Sequence, residues 1–332
     1  MKKPPDSSAQ ERHPHATALP MRADVFRTGL ILTGPTASGK SALALELAEP
    51  LNAEIIAMDS MTLYRGMDIG TAKPTPADRS RVPHHLLDAL DPWESASVAW
   101  WLEQATNCCK KIEERGRRAL FVGGTPLYLK ALLFGLFDGP PADSAVRARL
   151  ESDAAREGTT ALHARLALID PLSAQRLHPN DLRRVIRALE VFELTGRPLS
   201  EWQTEWRRPS PSNNSDSPRC FCLEVERSEL YSRINRRVQQ MITDGLVDEA
   251  RALRTSSRPL SREAAQAVGY REAFDYLEGR CSLEEMRERI QLRSRQLAKR
   301  QLTWFRALPE CLTIRPELTF AARALKILER LS

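Results

Sequence analysis

The residues Gly34-Pro35-Thr36-Ala37-Ser38-Gly39-Lys40-Ser41 fit the pattern G-x-x-x-x-G-K-[ST] at every fixed position. The pattern calls for a loop that holds phosphate. Glycine lets successive backbone N–H groups converge on phosphate oxygens. A helix that starts at the loop adds a favourable dipole. Lys40 contributes a mobile point charge, and the Ser41 hydroxyl suits Mg²⁺. Such a loop implies a diphosphate or triphosphate ligand. It does not say which one, nor that the ligand is a nucleotide.

Two further residues stand where chemistry could follow. Asp59 comes just after an apolar stretch that reads as the strand following the phosphate loop, and Thr125 comes after the next. In open α/β sheets the carboxyl ends of the strands face the ligand crevice. A carboxylate there can act as general base or bind Mg²⁺ through water. A hydroxyl can orient a reactant. Plainer readings stay open for both: a turn or capping aspartate, and an N-cap ahead of Pro126.

The charge pattern points to a polyanion. The chain has 332 residues, 42% hydrophobic and 28% charged, with a formal net charge of +6 and a pI near 9.1. That net charge is modest, so where it sits matters more. Between Arg289 and Pro309 lie Arg289, Arg293, Arg295, Lys299, Arg300 and Arg306 with no acidic residue, closed by Trp304 and Phe305. Cations beside aromatics suit a nucleic-acid backbone with bases to stack. A solvated basic helix with its aromatics in the core is the alternative. Arg183, Arg184 and Arg187 form a second group on one helical face.

The elements that would position these residues alternate. Strands are expected over Gly29–Thr33, Ala53–Met58 and Ala119–Val122, with helices over Ala42–Ala48, Ser97–Arg115 and Pro126–Leu133. That alternation predicts a parallel sheet covered by helices. From Asp143 to Glu205 the β signal disappears and the pattern is wholly helical. A returning strand is expected at Phe221–Val225, then mainly helix from Ser228 to Arg306. The expected class is α/β: a phosphate-loop parallel sheet core over 25–141 and 206–332, with an all-helical insertion domain over 142–205. Residues 1–24 are polar, lack the apolar segment of a secretory signal, and read as a disordered tail. Arg207–Pro218 reads as a polar loop. No apolar run reaches 18 residues, so no membrane span is expected. The six cysteines show neither zinc nor disulfide spacing and are expected to be free thiols in a reducing cytoplasm.

Strings along the chain resemble those of the bacterial tRNA dimethylallyltransferase (isopentenyltransferase) family. In order, they are GPTASGKS at 34–41, Asp59-Ser60, YRGMDIGTAKP at 64–74, HHLLD at 84–88, GGT at 123–125, HPND at 178–181, VGYR at 268–271 and KRQLTWFR at 299–306. Together they span about Leu30 to Arg306, and the GMDIGTAKP and KRQ-x-TWFR strings are highly specific. Thr62, Pro126 and Arg183 depart from common family choices.

The resemblance implies transfer of a dimethylallyl group from dimethylallyl diphosphate to the exocyclic amine of the adenosine 3′ of the tRNA anticodon. Gly34, Pro35, Thr36, Ala37, Ser38, Gly39, Lys40 and Ser41 would bind the donor's diphosphate. Asp59 would be the general base, Thr125 would hold the amine, and Arg237 would engage the diphosphate. Residues matching the family's tRNA contacts are Asp59, Ser60, Met61, Thr62 and Thr125, then Arg147, then Arg183, Arg184, Val185, Ile186 and Arg187. Gln266, Ala267, Val268, Gly269, Tyr270 and Arg271 follow, and last Lys299, Arg300, Gln301, Leu302, Thr303, Trp304, Phe305 and Arg306. Mg²⁺ is the expected cofactor with Ser41 as ligand, and a cytoplasmic monomer the expected form. Two other readings compete: an ATP-dependent small-molecule kinase using the same loop, and an inactive RNA-binding relative.

Overall fold

The computed structural model describes residues 29–136, 139–203, 219–315 and 319–330. The expected tail at 1–24 and loop at 207–218 lie outside them. The described residues fall into two compact units, one of residues 29–133 and 219–330 and one of residues 134–203.

In chain order the elements are β1 (Leu30–Thr33), α1 (Lys40–Ala48), β2 (Ala53–Ala57), α2 (Pro76–Arg81), β3 (His84–His85), α3 (Val98–Glu114), β4 (Arg118–Gly123) and α4 (Pro126–Phe134). The helical unit follows with α5 (Ser144–Glu157), α6 (Thr159–Ile169), α7 (Pro171–Arg176), α8 (Leu182–Thr195) and α9 (Leu199–Gln203). The chain then returns through β5 (Arg219–Leu223), α10 (Arg227–Thr243), α11 (Leu246–Arg254), α12 (Arg262–Ala265), α13 (Tyr270–Leu277), α14 (Leu283–Arg306), β6 (Cys311–Ile314) and α15 (Phe320–Glu329).

The strands form one sheet in the order β3-β2-β4-β1-β5-β6, and every pair is parallel. This is the expected phosphate-loop α/β class. The short outer strands β3 and β6 had no counterpart in the sequence reading. Central strands of a parallel sheet are covered on both faces and read as apolar runs. β1 is Leu-Ile-Leu-Thr, buried throughout, and β2 is Ala-Glu-Ile-Ile-Ala, also buried throughout.

Glu54 is the polar exception in β2. Its carboxylate accepts bonds from Arg115 at 2.6 and 3.1 Å and meets His85 Nε2 at 2.6 Å. Burial alone would raise the Glu54 carboxyl, but the bonds from Arg115 and His85 outweigh it and hold it below the ordinary carboxylate value.

On one face, α1 packs Leu43, Ala44 and Leu47 against Leu32, Leu120 and Phe221. On the other, Trp101 of α3 donates its indole N–H to Ala57 O at 3.1 Å and stacks on Tyr128 at 4.2 Å. A second apolar cluster joins α10, α11, α13 and α14 to Tyr64 and Met67. α14 opens with a capping box from Ser282 and Glu285. It buries Met286, Ile290, Ala298, Gln301 and Phe305, a helical spacing that leaves the opposite face to solvent.

The helical unit has its own core of Leu150, Leu162, Leu166, Val185, Ile186, Leu189 and Val191. At its centre Glu190, fully buried, accepts both Arg147 nitrogens at 2.9 and 3.0 Å, Arg187 at 2.8 Å and the Asp143 N–H at 2.7 Å. Those charged hydrogen bonds offset the cost of desolvating the carboxylate. All six cysteines are free thiols, as expected. No helix among the described residues is long and apolar enough to cross a membrane.

Candidate active site

Because β1, β2 and β4 run parallel, their carboxyl ends share one edge, and each ends at a singled-out residue. β1 leads into the phosphate loop, β2 into Asp59, and β4 into Gly123-Gly124-Thr125. The edge is tightly knit. Met58 donates its N–H to Val122 O at 2.8 Å, and Thr125 donates its N–H to Met58 O at 3.3 Å. The Ser60 N–H is bound by Thr125 Oγ1 at 3.1 Å, and the Met61 N–H by Asp59 Oδ1 at 2.9 Å.

The GGT string has a steric cause. A Cβ on Gly123 would stand 1.9 Å from Met58 O. One on Gly124 would stand 2.6 Å from Gln301 Nε2 and 3.1 Å from Gly34 O. Contacts below about 3.0 Å do not occur for real side chains, so Gly123, faced by backbone, has room for hydrogen alone, whereas a side chain on Gly124 would have to push the Gln301 amide aside.

Lys40, at the start of α1, is partly buried and donates from Nζ to Pro35 O at 3.3 Å. Burial lowers its pKa from 10.5 to about 8. Asp59 opposes that shift, and Arg237 reinforces it. Arg237, on α10, is itself lowered by burial, with Asp59 again pulling the other way. Lys40, Asp59 and Arg237 therefore feel one another's charge. Tyr128 is raised, first by burial and then by Asp59. The strand ends thus bring Lys40, Asp59 and Thr125 to one sheet edge, and Arg237 of α10 is near enough for its charge to act on Lys40 and to be acted on by Asp59. Ser38 Oγ is buried there with no hydrogen-bond partner, and the Ser41 hydroxyl is exposed in the first turn of α1.

The segment after Asp59 is braced from below. Glu249 of α11 accepts the N–H groups of Asp68, Ile69 and Gly70 at 2.8 to 3.1 Å. Tyr270 donates its hydroxyl to the same carboxylate at 2.5 Å, its ring filling the space a Cβ on Gly70 would need. Lys73, almost wholly buried, bonds to Asp68, Asp88 and Tyr64 O. The GMDIGTAKP string is therefore a scaffold around buried polar partners. Glu249 was missed in the sequence because nothing local to α11 announces a partner so far away in the chain.

The residues matching tRNA contacts divide by exposure. Arg183, Arg184, Gln266, Arg271, Lys299, Arg300, Thr303 and Arg306 are exposed, and Trp304 is 38% exposed. Ser60, Met61, Val268 and Leu302 are partly buried. Others turn their side chains inward. Val185 and Ile186 lie in the helical unit's core. Thr62, Ala267, Gly269 and Tyr270 are buried, as is Phe305, so of the two aromatics expected to face bases Trp304 alone reaches the surface. Gln301 is buried against the phosphate loop. Arg147 and Arg187 are held by Glu190 and keep part of their surface. Along α14, Arg289, Arg293, Arg295 and Arg306 face Asp275, Glu272, Asn235 and Glu224, so the run is less open than its charge count suggests.

The chain is similar to known proteins along most of its length. The family model for IPP transferase matches residues 62–308. The tRNA dimethylallyltransferase of Geobacter sulfurreducens is 50% identical over 84% of this chain and 89% of its own length. That of Rhodopirellula baltica is 44% identical over 90% of each. Among solved structures, the full-length tRNA isopentenylpyrophosphate transferase from Bacillus halodurans is 42% identical, covering 92% of this chain and 95% of that one, with a TM-score of 0.66. A eukaryotic dimethylallyltransferase acting on tRNA is 27% identical, covering 86% and 73%, with a TM-score of 0.70. A family model over most of the chain, and relatives this similar along nearly its whole length, place the chain in the IPP transferase family of tRNA dimethylallyltransferases.

Proposed function

We propose that this enzyme transfers a dimethylallyl group from dimethylallyl diphosphate to the exocyclic amine of the adenosine 3′ of the anticodon in tRNA. The observation that carries this reading is the meeting of Asp59 and Thr125 with Lys40 at one sheet edge, with the charge of Arg237 close by. One pair suits an amine, the other a departing anion.

In the reaction the amine nitrogen bonds to the allylic carbon as the carbon–oxygen bond breaks, and its proton goes to Asp59. The amine is a weak nucleophile, so alignment and a positioned base contribute most. Charge grows on the leaving diphosphate, where Lys40, Arg237 and the loop N–H groups stabilise it. The adenosine leaves its stack to reach the edge. Exposed Lys299, Arg300 and Trp304 of α14 would engage the RNA, as would Arg183 and Arg184 of the helical unit.

Mg²⁺ takes one or two protein oxygens plus substrate phosphates and keeps several waters. The exposed Ser41 hydroxyl suits that role, and no cluster of three His, Cys, Asp or Glu able to hold a metal occurs among the described residues. When bound, the ion would neutralise diphosphate charge. Cytoplasmic location and a monomeric state belong to the same reading.

The test is nucleoside mass spectrometry of unmodified tRNA incubated with the protein, Mg²⁺ and dimethylallyl diphosphate, with ATP in a parallel tube. A prenyl-sized gain on adenosine with the prenyl donor alone supports the proposal. No gain, with nucleotide turnover in the ATP tube, would favour the kinase. RNA binding without chemistry in either tube would favour an inactive relative.

A further inference from the structure

We propose that Gln301 is a positioning residue for the transfer, a two-handed amide that fixes the phosphate loop at a set distance from the strand end bearing Thr125. Its Oε1 accepts the Thr36 N–H at 2.9 Å, and its Nε2 donates to Gly124 O at 2.7 Å. Gln301 is buried, and the missing side chain at Gly124 is what lets the amide approach. Where a Cβ on Gly124 would stand, Gly34 O and Lys40 Nζ lie 3.1 and 3.5 Å away, so the loop and its cation border the space that the amide enters.

The inference rests on the reading above, in which the phosphate loop holds the leaving group and the Asp59–Thr125 edge holds the amine. The separation of those two parts sets the distance between the reacting atoms, and small errors in such distances are costly to rate. Glutamine is suited because one end must accept and the other donate. An apolar side chain would leave a buried N–H and a buried C=O without partners. Glutamate would keep the Thr36 bond but set a charged oxygen against Gly124 O. The neighbours Lys299 and Arg300 point outward from the same helix, so the amide's role is separable from RNA contact.

The test compares wild type with Q301M and Q301E in steady-state prenyl transfer, with thermal melts alongside. Q301M is expected to lower kcat about tenfold or more while KM for tRNA stays within about twofold. Q301E keeps the Thr36 bond but sets a buried charged oxygen against Gly124 O, so its kcat should fall at least as far as that of Q301M. Wild-type kcat in Q301M overturns the proposal, as do equal losses in kcat and in tRNA affinity. Amide exchange at Thr36 in the wild-type protein gives an arm independent of activity and of variant folding. Slow exchange supports the clamp, and exchange at the rate of an open loop overturns it. An inactive wild type would count against the proposed function, and the exchange measurement would then decide on Gln301.

Discussion

Thr125 Oγ1 accepts the Ser60 N–H at 3.1 Å, so the segment that carries Asp59 is fastened to the end of β4 by the same hydroxyl proposed to meet the amine. Thr125→Val keeps the shape and removes the acceptor. Leaving that N–H without a partner should cost roughly 1–3 kcal/mol of stability and lower turnover, whereas Thr125→Ser should restore both. Urea unfolding beside steady-state rates checks the pair. A Val variant with wild-type values in both would remove Thr125 from the edge's construction.

Asp59 Oδ1 also accepts the Met61 N–H at 2.9 Å, and asparagine can keep that contact while losing basicity. Asp59→Asn is therefore expected to lower kcat by about 10²- to 10⁴-fold. Its affinity for tRNA, read by filter binding, should stay within about twofold. Equal loss of turnover and binding would refute the base assignment.

Lys40 titrates near pH 8 because burial penalises its charged form. Below that pH it is a cation and favours an anionic donor, so kcat/KM for dimethylallyl diphosphate should fall as pH rises through about 8 in the free enzyme. Lys40→Arg should move this limb upward. Stability takes the opposite sign. The buried charge destabilises the fold fully below about pH 8, and the penalty relaxes as pH rises from there towards 10.5. A donor-independent pH profile of kcat/KM would contradict the assignment.

Glu249 gathers three backbone N–H groups and the Tyr270 hydroxyl beneath the segment that follows Asp59. Glu249→Ala strands those donors and should cost roughly 2–3 kcal/mol in urea unfolding. Faster amide exchange across residues 66–74 should accompany it. Unchanged protection there would show that Tyr270 and Lys73 suffice.

Lys299 and Arg300 are exposed on α14, close to Trp304. Replacing both with alanine should weaken tRNA binding and reduce the slope of log affinity against log salt by up to about 2, since each lost phosphate contact removes about 1. An unchanged slope would take this helix off the RNA-facing surface.

The strands that matter most were legible in the sequence because β1, β2 and β4 are apolar runs ending in turn signals, and the phosphate loop carries its own spacing. β3, two residues long, has no periodicity to read, and β6 follows a helix end without an alternation. The inward turn of residues within the RNA-contact strings was not legible for another reason. A contiguous string such as 183–187 or 299–306 was assigned whole, yet a helix sends Val185, Ile186, Gln301 and Phe305 inward and their neighbours outward. Glu190 and Glu249 were invisible because their partners are brought to them by the fold, and a carboxylate on an amphipathic helix looks like surface until its partners are placed.

α14 is a single helix of 24 residues whose inner face holds Gln301 and whose outer face carries Lys299 and Arg300. At 3.6 residues per turn, one inserted or deleted residue rotates everything beyond it by about 100°. Between Ser282 and Ala298, an insertion would put Arg300 where Gln301 stands and a deletion would put Leu302 there, and either would carry the glutamine off the phosphate loop. Substitutions on the exposed face of this helix can be tolerated one at a time, whereas its length from cap to clamp is fixed, so relatives should vary the outward letters of this stretch and keep the count.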